Sequence, residues 1–221
     1  MEEVVKKFEE FIDQLIPPTE DMDEEKYNAS RQLMITNMQK FYKKFGKNKI
    51  KKNIKVKQTD KHIDRINVYT DGSLKRTKKG ILCGYGVYFP GKELPDIAQP
   101  FTIGNITNNR AELFAILQAI KNISSIYSFD LIYVYTDSEY AQKSLTIWVN
   151  AWKKNNWRNS QNKIVENRDI IEQIHDYMET YKNKIKIIWV KSHTGKNDQH
   201  SLGNSIADEL ANKGAVLSGR F

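Results

Sequence analysis

The 221-residue chain has one cysteine, Cys83, and its first sixty residues hold no tryptophan and a single glycine, Gly46. A lone thiol excludes an internal disulfide framework. It fits a reducing compartment, so an intracellular setting is expected, with nucleus and cytoplasm left open. No apolar run is long enough to span a bilayer, so no membrane partner is expected. The first residues, Met1-Glu2-Glu3-Val4-Val5-Lys6-Lys7, carry acids where a secretory signal has its apolar core, so no such signal is expected. Acids are the minority charge, 27 against 35 Lys and Arg, and the net charge is +8. That balance admits a polyanionic partner without specifying one.

What is present divides at about residue 60. Val4, Val5, Phe8, Phe11, Ile12 and Leu15 recur at helical spacing, and Pro17-Pro18 stops the run. A second helix is expected over about 25–45, ended by Gly46. Residues 47–57 are lysine-rich and read as a linker or basic arm. Residues 1–60 therefore form an expected helical extension, suited to protein contact or self-association through residues 1–45, or else to packing alone. Residues 61–221 form the expected main domain. Strand signals lie at 65–70, 82–89 and 98–103, with Gly80, Gly84, Gly86 and Gly91 read as turns or bulges. Helix 108–122, strand 131–136, a helix from Ser138, helix 169–181, strand 186–190 and helix 204–214 follow. The order is that of an α/β domain with a mixed sheet flanked by helices.

Four acids mark this domain. Asp71 follows the β-rich run Val68-Tyr69-Thr70 and precedes Gly72, read as ending the strand. Asp137 follows the near copy Val134-Tyr135-Thr136. Glu112 is placed in the first turn of its helix, and Asp208 in the second turn of the last helix. Ligands of α/β sheets bind at strand ends, so Asp71 and Asp137 are expected to share a crevice. Four clustered carboxylates need cations to remain ionised. Hard oxygen donors select Mg2+ or Mn2+ over zinc, and a pair of such ions suits in-line phosphoryl displacement by water. Taken singly, each acid also reads as a turn residue, a helix cap or a surface residue.

The local words resemble those of ribonuclease H type 1, especially the cellular eukaryotic form. They are Thr70-Asp71-Gly72-Ser73, Thr107-Asn108-Asn109-Arg110-Ala111-Glu112, Thr136-Asp137-Ser138, Ser192-His193-Thr194-Gly195 and Gly203-Asn204-Ser205-Ile206-Ala207-Asp208. The match covers about residues 63–216. It implies an RNase H-like fold with a five-stranded mixed sheet. It also implies an endonuclease that cuts the RNA strand of RNA–DNA hybrids and leaves 5′-phosphate and 3′-hydroxyl ends. By the resemblance, Asp71 contacts both of two Mg2+ ions, with Mn2+ as a substitute; Glu112 and Asp137 help hold one and Asp208 the other. His193 shuttles protons or assists product release. The stretch Lys196–Leu202 lengthens the loop between His193 and Asp208 by some five residues relative to the family, and His200 within it is the lesser substitute for His193.

The same resemblance assigns the substrate grip. Trp148, Trp152, Lys153, Lys154, Trp157 and Arg158 match a basic protrusion that holds the DNA strand; three tryptophans at that spacing also read as core. Thr107, Asn108 and Asn167 match contacts to the DNA strand and its phosphate pocket, and Asn109 one near the cut. Gly72 and Ser73 lie beside the scissile RNA strand. Asn105 stands where the family often has Arg, which weakens that phosphate contact. Backbone contacts of this kind imply cleavage without base specificity. Two other readings remain: an RNase H domain of a reverse-transcriptase-type polyprotein, and a binding module of the same fold without catalysis.

Overall fold

The computed structural model describes Gln32, Ile35, Thr36 and residues 61–78, 80–192 and 197–219. The three early positions are helical; otherwise the expected helices over 1–17 and 25–45 and the basic arm over 47–57 lie outside the described residues. Contacts divide the chain into Met1–Asn53 and Ile54–Phe221, and the account below concerns the second unit.

Its five strands are β1 (His62–Thr77), β2 (Gly80–Tyr88), β3 (Ile97–Pro100), β4 (Ser128–Thr136) and β5 (Ile185–Trp189). They form one sheet in the order β3-β2-β1-β4-β5. The β1–β2 and β2–β3 pairs are antiparallel; β1–β4 and β4–β5 are parallel. The helices are α1 (Asn108–Ile126), α2 (Glu139–Lys143), a π-helical turn at Ser144–Trp148, α3 (Val149–Lys154), α4 (Arg168–Thr180) and α5 (Gln199–Ser218). This is the mixed, helix-flanked sheet expected from the sequence.

Alternation along the central strands sorts the two faces. Ile66 and Val68 of β1 and Ile132 and Val134 of β4 join Leu113, Ile116, Leu117 and Ile120 of α1 in the main core. Tyr69 and Tyr135 point the other way and pack with Ala207 of α5. The identical words of β1 and β4 pair in register, Val68 with Val134, Tyr69 with Tyr135 and Thr70 with Thr136. The two tyrosine rings consequently stack at 4.8 Å.

Three expectations need correction. Gly72 does not end β1: the strand continues to Thr77 against β2, and only its pairing with β4 stops at Thr70. Gly84 and Gly86 are strand residues and Gly214 lies inside α5, so none of them marks a turn or a helix end. They serve close approach, since a Cβ on Gly84 would lie 2.0 Å from the Ala215 nitrogen and one on Gly86 2.3 Å from the Ala207 carbonyl. The last helix begins at Gln199, capped by Asp198, whose Oδ1 accepts from the His200 and Ser201 amides at 3.1 and 3.0 Å. Much of the lengthened loop is therefore the first turn of α5, a consequence of an Asx cap that the apolar pattern does not reveal.

Candidate active site

The register of β1 and β4 explains why two acids distant in sequence meet. Thr70 and Thr136 form the last parallel pair, so Asp71 and Asp137 leave neighbouring strands at the same level. Gly72 brings in the third acid. A Cβ there would lie 2.5 Å from the Glu112 nitrogen, so only glycine lets α1 press its second turn against β1. Glu112 is thus the fifth residue of α1 and buried, neither in the first turn nor on the surface. Carboxylate oxygens of Asp71, Glu112 and Asp137 all lie within 4.8 Å of one another. Asp208 is the tenth residue of α5 because that helix starts early. It stands against Asp71, within reach of its carboxyl but outside the three-acid group.

Burial decides the electrostatics. Asp71 and Glu112 are each 5% exposed. Desolvation, then Asp137, then Asp208 push the Asp71 carboxyl up to about 8, against the hydrogen bond it accepts from the Gly72 amide at 2.8 Å. Desolvation and the Asp71 and Asp137 charges hold Glu112 well above the usual carboxylate range. Asn108 donates to Glu112 Oε1 at 3.2 Å, while Glu112 Oε2 is buried with no hydrogen-bond partner among the described residues. An orphaned carboxylate oxygen on a member of a cluster of hard oxygen donors fits a divalent cation.

Two residues that the sequence reading did not single out pin Asp137. Asn204 donates to its Oδ2 at 3.0 Å, and the Trp189 indole N–H donates to its backbone carbonyl at 3.0 Å. Asn204 lies inside the quoted Gly203–Asp208 word, which was the available signal. Trp189 offered none beyond its place at the end of β5.

Comparison with known proteins joins this geometry to a family. The RNase H family model matches residues 63–216. The chain belongs to the RNase H family. A probable ribonuclease H of Acanthamoeba polyphaga mimivirus is 38% identical over 62% of this chain and 60% of its own length. The ribonuclease H of Schizosaccharomyces pombe is 37% identical over 80% of this chain and 65% of its own. The chain thus spans under two thirds of these two relatives. It spans 82% of the ribonuclease H of Orientia tsutsugamushi, at 34% identity. Among solved structures, the PFV RNase H domain superposes with a TM-score of 0.56 at 27% identity, over 69% of this chain and 94% of that one. A foamy viral protease-reverse transcriptase in complex with an RNA/DNA hybrid gives 0.57 at 26% identity, over 69% of this chain and 20% of that one.

A second cluster lies beside the acids. Thr107 caps α1, its hydroxyl accepting from the Arg110 amide at 3.3 Å. Arg110 is buried and donates bidentately to Asp169 at 2.8 and 2.7 Å and to Asn167 Oδ1 at 3.4 Å. These bonds hold Asp169 below the usual carboxylate range. Asn167 takes φ +60 and donates to the Tyr140 hydroxyl at 3.0 Å. Thr107 and Asn167 therefore converge on one spot, through an arginine that belongs to a quoted motif but was not named as a site residue. Asn109 is exposed next to them. Ser73 is buried and its hydroxyl donates to Asn212 at 2.8 Å, tying β1 to α5.

The protrusion divides into surface and core. Trp148 and Trp152 lie 5.7 Å apart and, with Arg158, line an open cup of about 490 Å³. Lys153, Lys154 and Arg158 are exposed. Trp157 follows the core reading of the tryptophans: it is 7% exposed in the main core, with Arg168 over its ring at 5.1 Å. His193 and the loop through Lys196 lie outside the described residues. His200 accepts or donates at 3.0 Å with the Tyr69 hydroxyl and packs at a tilt against the Tyr135 ring at 4.6 Å, which makes it part of the α5 packing. Among the described residues no helix is long and apolar enough to cross a membrane.

Proposed function

We propose that the chain is a divalent-metal-dependent endonuclease that cuts the RNA strand of RNA–DNA hybrids without base specificity, leaving 5′-phosphate and 3′-hydroxyl ends. The observation that carries this is the Asp71–Glu112–Asp137 group, with Asp71 and Glu112 buried, Asp137 half-buried and Asp208 against it. The likeness to proteins named ribonuclease H, and to a foamy viral enzyme solved with an RNA/DNA hybrid, supports the substrate class.

In this reading Asp71, Glu112, Asp137 and Asp208 hold two Mg2+ ions, with Mn2+ as a substitute. Bound there, such ions supply an activated water and charge stabilisation at the scissile phosphate. The protein's own part is to hold the oxygens still. The Gly72 amide fixes Asp71, Asn108 fixes Glu112, and Asn204 and Trp189 fix Asp137. Thr107, Asn108 and Asn167 seat a phosphate of the DNA strand beside Arg110, and Asn109 meets the hybrid near the cut. Trp148 and Trp152 stack on its sugars, while Lys153, Lys154 and Arg158 neutralise its phosphates. The RNA strand is selected by its 2′-hydroxyls. His193 moves protons or eases product release. Residues 61–221 carry the chemistry, and residues 1–60 an accessory contact.

The test offers labelled hybrid, double-stranded RNA and single-stranded RNA with Mg2+, with and without EDTA. Cutting confined to the hybrid, abolished by EDTA and by Asp71→Asn, is expected. Near wild-type cutting by Asp71→Asn would overturn the metal assignment.

A further inference from the structure

Lys153 of α3 does not point freely into solvent: its Nζ lies 2.7 Å from Nε2 of His175 on α4, a residue 5% exposed. A lysine ammonium has donors and no acceptor, so the bond requires His175 in its neutral form with the lone pair on Nε2. We propose that His175 is a positioning residue, which accepts a hydrogen bond from Lys153 and thereby fixes that ammonium on the face that grips the DNA strand. The inference rests on the reading of Lys153 as a phosphate contact. An ammonium on a four-carbon stem otherwise samples many rotamers, and ordering it at the moment of binding costs conformational entropy. His175 removes part of that cost beforehand while leaving two of three donors for phosphate oxygens.

The arrangement also makes the grip sensitive to acid. Burial and then the Lys153 charge hold His175 below the usual histidine range, so at neutral pH it accepts. The charged groups around it are Lys153 from α3, Glu172, Asp176 and Glu179 from α4, and Lys186 of β5, which lines the same groove. The nearest carboxylate oxygen, of Glu179, is 3.9 Å from Nε2, well beyond the lysine. Once protonated, His175 offers only donors and a like charge to Lys153, and the contact breaks. Because the folded-state value is lowered, the contact is whole above the ordinary histidine range and is lost as pH falls through the lowered value.

The test is equilibrium binding of the full chain to a labelled hybrid in EDTA, across salt concentrations, at pH 7.5 and over a descending pH series. Lys153→Ala is expected to weaken binding on the order of 3- to 10-fold and to reduce the slope of log affinity against log salt by about one phosphate contact. His175→Phe should reproduce both changes, and the double variant should add little to either single one. His175→Gln keeps an acceptor and cannot titrate. It should bind like wild type at pH 7.5 and lose less affinity than wild type as pH falls. If Lys153→Ala weakens binding while His175→Phe, folded by its thermal melt, keeps wild-type affinity and slope, the positioning role is overturned and the grip stands. A Gln variant with the full pH dependence of wild type overturns the acid-sensitivity. If Lys153→Ala itself changes neither affinity nor slope, the grip assignment falls and this inference with it.

Discussion

Asp71→Asn should make the metal-free protein more stable while it abolishes cleavage. Oxygens of Asp71, Glu112 and Asp137 lie within 4.8 Å of one another. At an effective dielectric constant of about 20, two unit charges at that spacing repel by roughly 3.5 kcal/mol. Desolvation by burial is the larger cause, and with this repulsion it raises the Asp71 carboxyl from 3.8 to about 8. Because the folded-state value lies above the unfolded one, this carboxyl weighs least on stability below pH 3.8. Its cost grows as pH rises toward 8 and is constant beyond. Asparagine has no proton to lose, and its Oδ1 still accepts from the Gly72 amide. In EDTA at pH 8.5 the variant should gain about 1–3 kcal/mol, or about 2–4 °C in Tm per kcal/mol for a domain of this size. At pH 4 the gain should nearly vanish. With saturating Mg2+ the order should reverse, because the wild type gains the cation's binding energy and the variant gains less. Melts followed by circular dichroism at both pH values, with and without Mg2+, read all four conditions. A variant that melts at or below wild type in EDTA at pH 8.5 would refute the argument that these carboxylates repel across a buried gap.

Other consequences can be measured alongside. Gly84→Ala places a methyl group 2.0 Å from the Ala215 nitrogen. It should force α5 off the sheet, cost about 2–4 kcal/mol by denaturant melt, and reduce cleavage by displacing Asp208. Trp157→Ala should cost about 3–5 kcal/mol as a core deletion; Trp148→Ala, at a residue 37% exposed, should lower the melt less than Trp157→Ala and weaken hybrid binding. Arg110→Lys forfeits the bidentate bond to Asp169. It should weaken hybrid binding and let Asp169 titrate closer to the ordinary carboxylate value, readable by NMR, so that the ion pair's contribution, present above that range and lost on acidification, shrinks.

Element order was legible in the sequence because strand and helix periods differ and each run of this domain is long enough to show one of them. What periodicity could not supply was the meaning of the glycines. Gly72, Gly84, Gly86 and Gly214 look like breakers along one dimension. In three dimensions they are places where a helix backbone touches a strand. Helix starts set by side-chain caps were equally hidden. Asp198 begins α5 before its apolar face begins, which moved Asp208 to the tenth position and turned an apparent loop insertion into helix.

The candidate site was legible for a related reason. The Tyr-Thr-Asp words of β1 and β4 are alike because they occupy equivalent places on adjacent parallel strands, one residue past the last shared pair. The small residues Ala115 and Ala119 on the side of Glu112 allow a close approach of its helix to the sheet, but its burial depends on the missing side chain at Gly72, which the helix alone does not reveal. Arg110, Asn204 and His175 were missed for a common cause. Each acts by holding another side chain still, Asp169, Asp137 and Lys153 in turn. A residue type and its spacing can advertise a carboxylate or a stacking ring; they cannot advertise a buried donor or acceptor whose partner lies more than twenty residues away. The groups that meet the substrate are therefore easier to read from a sequence than those that fix their positions, and in this protein Asn204 and His175 are where substitution should separate the two.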